Sequence, residues 1–438
     1  MPSIRRFPQE DQTNGWTRTI APRTPRPPLK GEVTADLLII GAGYAGLGAA
    51  WQYARQRPDE RVVVLDAQVV GQGASGRNSG FVLGLKHASD GIETTDPEPL
   101  KRLWRISQGA TRFLDEIVTT HQIRCDWRKD GMYMAARGPE GLRRIGILQR
   151  EFERIGEPCR LLDRAASERE TGTAHYRAML FSPNCILMQP GKLIHGLADR
   201  LPQNVTLHEQ SRVTRIEYGP KVTAHTDGGS VTAPKVILAT NGFTPEFGFF
   251  EGRIFPVRLY ASLTRPLTEA ERDAYPVKGW GILPVVHTSS PTMRYTEDHR
   301  ILMRAGLGLG KNHDPKLGKQ AAVRRYHERL FRDRFPMLPD VTFEYTWTGF
   351  VCSSRNRAHG LAQVADNVFT AVCENGVGAT KSIVSGISAA DMACGIDNPL
   401  AADLKAYGTP DPVPPSPFFE IGAAMKFKYE DWRDQAEC

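Results

Sequence analysis

The stretch DLLIIGAGYAG at residues 36–46 is the strongest structural signal in this chain of 438 residues. Its apolar first half predicts a buried β-strand, and the glycines that follow predict a tight turn into a helix. Gly41 permits the turn, Gly43 leaves the backbone open to a pyrophosphate, and Gly46 lets the helix pack closely on the sheet. The helix N-terminus would present unpaired N–H groups and the positive end of its dipole to that pyrophosphate. The stretch therefore predicts a dinucleotide-binding unit.

A second strand, RVVVL at residues 61–65, ends in an acidic residue. Asp66 stands where a carboxylate accepts hydrogen bonds from ribose hydroxyls, whereas an arginine there would indicate a 2′-phosphate. These two features leave both NAD and FAD open as ligands. The loop GASGRNSG at residues 73–80 follows this strand and suggests which of the two is bound.

The composition, with 24% charged and 40% hydrophobic residues, is typical of a soluble globular protein. The length predicts two or three domains. No apolar run is long enough to cross a membrane, and the basic N-terminus lacks the apolar segment of a secretory signal. The net charge of +7 is spread along the chain, so nucleic-acid binding is not expected, while a basic pocket for an anionic substrate stays open.

The seven cysteines are scattered along the chain without the spacing of a metal site. Their odd number and irregular spacing favour reduced thiols over a disulfide framework. We therefore expect a cytoplasmic protein without a bound metal ion.

The order of the predicted elements indicates an α/β protein, in which a Rossmann-like nucleotide-binding domain is combined with an antiparallel-sheet substrate domain. Residues 1–34 are rich in proline and arginine and predict an extended lead-in that lies over the surface. The remainder divides into a discontinuous nucleotide-binding domain of residues 35–100, 178–245 and 348–400, a substrate domain of residues 101–177 and 246–347, and a C-terminal tail of residues 401–438.

Several elements are predicted within this division. Residues 98–156 predict helices interrupted by a hairpin at 126–135, and residues 190–201 predict an amphipathic helix. Strands are predicted at 205–207 and 211–216 as a pair, at 221–226, at 235–242, at 257–264 and at 300–304. A second strand–glycine–helix junction is predicted at 367–381, with its helix running to about Met392, where backbone N–H groups can face an electron-rich group. Residues 306–311 resemble a phosphate loop but lack its first glycine and its Ser/Thr, so we predict a simple loop there.

Taken in order along residues 16–400, these motifs resemble FAD-dependent amine and amino-acid oxidoreductases of the D-amino-acid oxidase superfamily, above all the γ-glutamylputrescine oxidase type. The marks of the resemblance are the glycine turn, Asp66, the loop at 73–80, ATNG at 239–242, WTG at 347–349 and NGVG at 375–378. The resemblance implies FAD as the cofactor. It also implies a glutathione-reductase-like FAD-binding domain next to an antiparallel-sheet substrate domain.

The resemblance further implies a role for each motif. The glycine turn would face the FAD pyrophosphate, Asp66 would hold the adenosine ribose, and the loop at 73–80 would lie along the pyrophosphate and the edge of the isoalloxazine ring. Residues 376–381 would cover the far end of that ring. The full set of implied FAD contacts is Gly41, Gly43, Tyr44, Ala45, Gly46, Asp66, Ala67, Gly73, Ala74, Ser75, Arg77, Asn78, Ser79, Val213, Thr240, Asn241, Asn375, Gly376, Val377, Gly378, Ala379, Thr380 and Lys381.

The chain departs from the family pattern after Trp347. Many relatives carry Thr and Asp where this chain has Ser354 and Asn356, which puts the substrate in doubt but not FAD. Some sarcosine oxidases attach the flavin through a cysteine in this region, and Cys352 is out of register with that position. We therefore expect FAD to be bound non-covalently and Cys352 to be a buried structural thiol.

The implied chemistry transfers a hydride from a C–H bond beside an uncharged amine to the flavin. The imine then hydrolyses to an aldehyde or keto acid plus amine or ammonia, and dioxygen or an electron carrier reoxidises the flavin. Substrate contacts are expected from the antiparallel layer, with Tyr260, Arg304 and Trp347 as the candidates. Arg304 would bind a carboxylate or phosphonate, and the basic residues around it favour an acidic amine. The alternatives are a surface ion pair for Arg304 and ordinary packing for the two aromatic residues. His287 and His359 are weaker candidates for proton transfer.

Other classes stay open beside the amine oxidoreductase. A flavin-dependent monooxygenase shares the glycine turn but usually carries a Gly-Asp motif late in the chain, where this sequence has Glu374, Asn375 and Gly376. A disulfide reductase would need a second dinucleotide fingerprint and a CxxC, and the sequence has neither. A non-catalytic FAD-binding protein is the alternative outside the enzymes.

Overall fold

The computed structural model describes residues 4–9, 11–84, 96–286, 290–310, 313–314 and 319–437. The strands are β1 (Gly31–Thr34), β2 (Leu37–Ile40), β3 (Val62–Leu65), β4 (Phe81–Val82), β5 (Met132–Ala136), β6 (Arg160–Asp163), β7 (Ala178–Ser182), β8 (Ile186–Leu187), β9 (Val205–His208), β10 (Val213–Glu217), β11 (Val222–Thr226), β12 (Gly229–Ala233), β13 (Lys235–Leu238), β14 (Ile254–Thr264), β15 (Gly281–Pro284), β16 (Thr292–Tyr295), β17 (Ile301–Leu309), β18 (Phe343–Ser354), β19 (Gly360–Ala365) and β20 (Val368–Val372). The α-helices are α1 (Gly15–Arg18), α2 (Tyr44–Gln56), α3 (Glu98–Thr120), α4 (Pro139–Ile155), α5 (Arg164–Thr171), α6 (Pro190–Asp199), α7 (Glu269–Ala274), α8 (Gln320–Arg334), α9 (Gly378–Cys394), α10 (Pro399–Lys405) and α11 (Phe418–Arg433).

A six-stranded sheet, in the order β19-β20-β13-β2-β3-β9, positions the glycine turn. Its neighbouring strands are parallel except for the antiparallel pair β19–β20. Strands β2 and β3 are buried along their whole length, which explains their unbroken apolar sequences, since both faces of a parallel sheet are covered. Leu37 and Ile39 pack in one core with α2 and α9, while Leu38 and Ile40 pack in a second core on the opposite face.

Two further sheets complete the architecture. A four-stranded sheet, in the order β1-β12-β11-β10, packs against that second core. An eight-stranded sheet, in the order β18-β14-β17-β16-β15-β5-β7-β6, is antiparallel except for the pair β15–β5. Helix α8 packs on one face of the eight-stranded sheet through Leu330 and Phe331. The predicted α/β fold with a Rossmann-like unit and an antiparallel layer is confirmed.

Several local predictions are wrong. Residues 126–135 form no hairpin, because β5 pairs with β7 and β15 instead of folding back on itself. The predicted strand pair at 205–207 and 211–216 is split, since β9 joins the six-stranded sheet and β10 joins the four-stranded one. Most of the predicted loop at 306–311 belongs to strand β17, and Lys311 lies outside the described residues. Strand β7, which we assigned to the nucleotide-binding domain, lies in the eight-stranded sheet.

Helices α2 and α9 approach each other at a glycine contact. A Cβ atom added at Gly386 would lie 2.0 Å from the carbonyl oxygen of Ala45, and one added at Gly48 would lie 3.1 Å from that of Ile383. The two helix backbones therefore pack with no room for a side chain at Gly386. Because α2 and α9 begin at the glycine turn and at the second junction, this contact sets the positions of both N-termini.

We expect Gly386→Ala to destabilise the protein by about 1–3 kcal/mol, because a methyl group must push the two helices apart. Gly146→Ala in α4 is the matched control, since an added Cβ there meets only the flexible end of Arg150 at 3.5 Å. The control should be neutral or stabilising by up to about 1 kcal/mol. Denaturant unfolding of both variants checks this, and equal midpoints would contradict the tight contact.

Candidate functional site

A deep cavity opens at the carboxyl ends of β2, β3, β13 and β20. The opposite wall is formed by the end of β18, from Thr348 to Cys352. Ligands in open α/β sheets bind at this edge, because the loops after parallel strands converge there. The cavity therefore lies where the sequence predicted a dinucleotide.

The glycine turn forms the floor of the cavity with backbone atoms. Gly41 has φ +104°, and a Cβ atom on it would lie 2.5 Å from the carbonyl oxygen of Ala239. A Cβ atom on Gly46 would lie 1.7 Å from the carbonyl oxygen of Gly41, so only glycine allows the turn to close on the helix. The Oγ of Ser75 accepts a hydrogen bond from the first N–H of α2, that of Tyr44, at 2.9 Å. The positive end of α2 thus already attracts an oxygen atom.

Asp66 lines the same cavity at the end of β3. Its carboxylate accepts hydrogen bonds from the N–H groups of Ala42, at 2.7 Å, and Gln68, at 2.8 Å. Burial raises the pKa of Asp66 to about 6, although these two bonds act in the opposite direction. A carboxylate with this environment is suited to accept hydrogen bonds from the hydroxyl groups of a ribose.

The N-terminal residues contribute a wall that the sequence did not predict. Residues 4–9 and 11–18, which we call the N-terminal strap, cross the mouth of the cavity. The strap begins with a hydrogen bond from the Ile4 N–H to the Thr214 carbonyl at 3.0 Å. It ends where Asn14 donates to the Gly76 carbonyl at 2.9 Å and the Trp16 indole donates to the Asn78 carbonyl at 2.8 Å. The strap residues that line the cavity are Ile4, Arg6, Phe7, Pro8, Gln9 and Asp11.

Arg77 joins the strap to the loop at 73–80 and to the eight-stranded sheet. Its guanidinium donates to both carboxylate oxygens of Asp11, at 2.6 and 3.1 Å, and the two side chains are 6% and 4% exposed. It also donates to the carbonyl oxygens of Gln72, at 2.7 Å, and Thr348, at 3.0 Å. Burial alone would raise the pKa of Asp11, but the hydrogen bond and charge of Arg77 hold it below its usual value. Arg77 therefore lines the cavity with its charge already satisfied by protein groups.

The second glycine–helix junction meets the cavity from the other side. Gly376, with φ +84°, and Gly378, at the start of α9, line the cavity. The Asn375 side chain accepts a hydrogen bond from the last N–H of β18 at 3.0 Å, which fixes the junction to that strand. The ammonium group of Lys381 lies over the ring of Tyr407 at 5.2 Å, and burial lowers its pKa to about 8.

The structure brings most of the predicted cofactor residues together. Those that line the cavity are Gly41, Gly43, Tyr44, Ala45, Asp66, Ala67, Gly73, Ala74, Ser75, Arg77, Asn78, Val213, Thr240, Asn241, Gly376 and Gly378. Those that stand behind its wall are Gly46, Ser79, Asn375, Val377, Ala379, Thr380 and Lys381. The second group supports the turns and helix starts that the first group exposes.

The candidate substrate residues are not brought together. Trp347 is fully buried, packs edge-on against Trp16 and donates to the Arg77 carbonyl at 3.1 Å, which makes it a packing residue. Tyr260 lies two positions before Ser262, whose hydroxyl contacts His327 of α8 at 2.8 Å. Because alternate residues of a strand share a face, Tyr260 points to the α8 side of the sheet, away from Trp347.

Arg304 lies on the other face of the eight-stranded sheet. Its register partner Ala261 packs with Trp16 and Trp347, whose indoles donate to carbonyl oxygens of the loop at 73–80, so Arg304 shares the side that is turned toward that loop. The guanidinium donates to the Thr292 hydroxyl at 2.6 Å. Among the described residues we find no carboxylate paired with it, and burial lowers its pKa to about 10. The side chain is still partly accessible, so a charged, desolvated donor is open to a ligand.

The structure describes one of the two candidate histidines. His287 lies outside the described residues. His359 is buried, with its Nδ1 3.3 Å from a carboxylate oxygen of Glu374. Of these residues only Glu374 lines the cavity.

The fold and the cavity are those expected of a FAD-dependent oxidoreductase. Glycines that leave no room for a Cβ atom, a buried Asp66 at the ribose position and a second helix N-terminus all fit FAD. A family model described as FAD dependent oxidoreductase (DAO) matches residues 36–392. The chain therefore belongs to the DAO family, and its cofactor is FAD.

Named relatives and solved structures agree with this assignment. Gamma-glutamylputrescine oxidoreductase of Escherichia coli is 27% identical over 399 residues, which cover 89% of each chain. Glycine oxidase of Geobacillus kaustophilus has a TM-score of 0.69 at 17% identity and covers 84% of this chain and 96% of its own. Iminodiacetate oxidase of Chelativorans sp. BNC1 has a TM-score of 0.66 at 17% identity and covers 83% of this chain and 96% of its own. In the described part of the chain, no helix is long and apolar enough to span a membrane.

We expect the affinity for FAD to fall as the pH drops through about 6, the pKa of Asp66. Ribose hydroxyls donate to the ionised carboxylate, so FAD binding must release the proton that Asp66 holds at lower pH. The Kd should rise by up to about tenfold per pH unit below that value. Fluorescence titration of the apoprotein with FAD measures this.

Asp66→Asn should bind FAD more weakly at neutral pH and lose this pH dependence. Asp36→Asn is the matched control, because Asp36 is exposed just before β2, at the opposite end of the strand from the cavity, where it accepts from the Arg61 N–H at 2.7 Å. An unchanged pH slope in Asp66→Asn would show that another group titrates.

We expect Asp11→Asn to release FAD roughly 10- to 100-fold faster, because it leaves the buried Arg77 charge without its partner and loosens the strap. The return of flavin fluorescence after dilution of the holoprotein gives the rate. Asp227→Asn serves as control, since Asp227 and its partner Arg212 are 63% and 52% exposed. Equal release rates for the two variants would show that the strap does not retain FAD.

Proposed function

We propose that this protein oxidises an amine or amino acid that carries an acidic group, at the C–H bond next to the nitrogen. FAD accepts the hydride when bound, and the imine hydrolyses to an aldehyde or keto acid plus amine or ammonia. The observation behind this proposal is Arg304, a partly accessible guanidinium without a carboxylate partner in the described structure. It lies on the sheet face that is turned toward the loop at 73–80.

Arg304 supplies the recognition of the acidic group. A guanidinium binds a carboxylate through two parallel hydrogen bonds, and the pair is strongest away from bulk water. The Thr292 hydroxyl already orients the guanidinium from the neighbouring strand. The names of the relatives support the same substrate class, because γ-glutamylputrescine, glycine and iminodiacetate each combine an amine with a carboxylate.

The second junction supplies the electrostatics. Backbone N–H groups at the start of α9 and the positive end of its dipole point to the cavity beside Gly376 and Gly378. We propose that they stabilise the negative charge that the flavin ring gains on reduction.

We propose that FAD is held without a covalent bond. Cys352 lines the cavity, but the hydrogen bond with Cys373 and burial raise its pKa well above its usual range. Attachment to a flavin requires a thiolate, which this environment disfavours.

The described cysteines are all free, which supports a reducing compartment, the cytoplasm, as the site of action.

The decisive experiment is anaerobic mixing of the purified yellow protein with a panel of amines. We expect γ-glutamylputrescine, iminodiacetate or another carboxylate-bearing amine to bleach the visible flavin absorbance, and putrescine, which lacks the carboxylate, to act far more weakly. Bleaching by NADPH alone would instead indicate a monooxygenase. A flavin that no compound reduces would indicate a non-catalytic FAD-binding protein. Readmitting air then separates dioxygen from an electron carrier as the oxidant.

Arg304→Gln should raise the KM for the carboxylate-bearing substrate roughly 30- to 300-fold, with a smaller change in kcat. The neutral analogue should lose little, so the preference for the acidic substrate should largely disappear. Arg265→Gln is the matched control, because Arg265 pairs with Glu271 on the surface of the same domain. An unchanged KM in Arg304→Gln would show that another residue binds the carboxylate.

A further inference from the structure

Helix α11 exposes a row of large apolar side chains, which we call the α11 stripe. Phe418 is 70% exposed, Ile421 55%, Met425 67%, Tyr429 57% and Trp432 67%. Residues that recur every third or fourth position share one face of a helix, so these side chains form a continuous surface. Monomeric proteins rarely expose contiguous apolar patches of this size unless they bind something.

The helix is fixed to the protein by its other face and by the residue that follows it. Phe419 packs edge-on against Phe255, with ring centroids 4.8 Å apart. After the helix, the Glu437 carboxylate accepts hydrogen bonds from the N–H groups of Arg137, at 2.9 Å, and Gly141, at 2.8 Å, at the start of α4. The α11 stripe is therefore held outward, and no described element covers it.

The order of residues in the stripe is symmetric. Ile421 and Tyr429 lie at equal distances in sequence from Met425, and Phe418 and Trp432 do so as well. This spacing suits a two-fold interface, in which residue i of one copy meets residue j of the other and residue j meets residue i. Apolar residues at equal distances from a centre then meet apolar residues. In an antiparallel pair of α11 helices, Met425 would meet Met425 of the second copy. Phe418 of one copy would meet Trp432 of the other.

The residues beside the stripe favour the same arrangement. Antiparallel pairing places Lys426 opposite Ala424 and Lys428 opposite Gly422 of the second copy, so the lysines stay apart. A parallel pair would bring identical lysines together. Gly422 weakens an isolated helix, and a Cβ atom added to it would have no described atom within 4 Å. Its small size is useful where another backbone or a long side chain approaches.

The area of the stripe is sufficient for a dimer. Aromatic side chains bury roughly 150–250 Å² each, so the exposed parts of the stripe amount to roughly 600 Å² per copy. Two copies would bury about 1,200 Å² in total, above the ~1,000 Å² expected of a specific interface.

A lipid surface fits the helix less well. Residues 418–433 contain Glu420, Glu430 and Asp431 against Lys426, Lys428 and Arg433, so their charges balance. Helices that lie on membranes are rich in Lys and Arg and use that excess to bind anionic lipid. We propose that the α11 stripe is the interface with a second copy of this chain, in which two α11 helices pair antiparallel around a two-fold axis at Met425.

Sedimentation of the full-length holoprotein over a range of concentrations tests this. We expect the wild type to dimerise with a Kd of about 1–100 μM. Met425→Lys should be monomeric with its FAD content unchanged, because it places two ammonium groups face to face on the axis. Leu161→Lys in β6 is the matched control, since Leu161 is an exposed aliphatic residue, 51% accessible, outside α11, and it should dimerise as the wild type does.

Cross-linking tests the antiparallel geometry in a Cys438→Ser background. Met425→Cys should form disulfide-linked dimers with itself, and Phe418→Cys should link to Trp432→Cys far better than to itself. A monomeric wild type, an equally stable Met425→Lys dimer or equal self-linking of Phe418→Cys would overturn the proposal. So would binding of the monomeric wild type to vesicles of anionic or zwitterionic lipid.

Discussion

The buried ion pair of Arg77 with Asp11 is the contact on which the arrangement of the site depends. One guanidinium holds the N-terminal strap through Asp11, its own loop through the Gln72 carbonyl, and the eight-stranded sheet through the Thr348 carbonyl. These segments are far apart in sequence and form three different walls of the cavity. Breaking such a pair leaves an uncompensated charge in the interior, at a cost of about 3–5 kcal/mol. The walls are therefore coupled, and the strap cannot move without disturbing the loop.

The two strand–glycine–helix units can be predicted from the sequence, because the glycines that form them lie within the units themselves. The turn at Gly41 needs a positive φ, and Gly46 has no room for a side chain, so the glycine pattern alone identifies the strand–turn–helix unit. The second junction at Gly376 is predicted for the same reason. The position of the strap is not predicted, because it depends on the ion pair of Asp11 with Arg77. The sequence around residue 11 contains no motif that indicates this partner. A polar, proline-rich segment has the same composition whether it crosses a surface or closes a cavity.

Strand pairing sets a second limit on what the sequence predicts. A strand pattern shows which residues alternate but not which face meets the cofactor. Tyr260 and Arg304 are equally plausible substrate contacts until the register of β14 with its neighbours places them on opposite faces. Trp347 lies in β18 beside the cavity wall, as the motif predicts. Its indole, however, donates to the Arg77 carbonyl and packs against Trp16. The residues behind the cavity wall were identified by motif, but only the structure separates them from those that line it.

Arg77 and Arg304 differ in how far their charges are satisfied, and this difference separates their proposed roles. Arg77 meets a carboxylate and two carbonyl oxygens, so it holds protein segments together and has little capacity left for a ligand. Arg304 meets one hydroxyl, and burial depresses its pKa with no described carboxylate to offset the cost. A protein keeps a partly desolvated cation without a counter-charge at the expense of stability, and an anionic ligand removes that penalty when it binds. Arg77 therefore builds the cavity, and Arg304 would gain more than Arg77 from an anionic ligand.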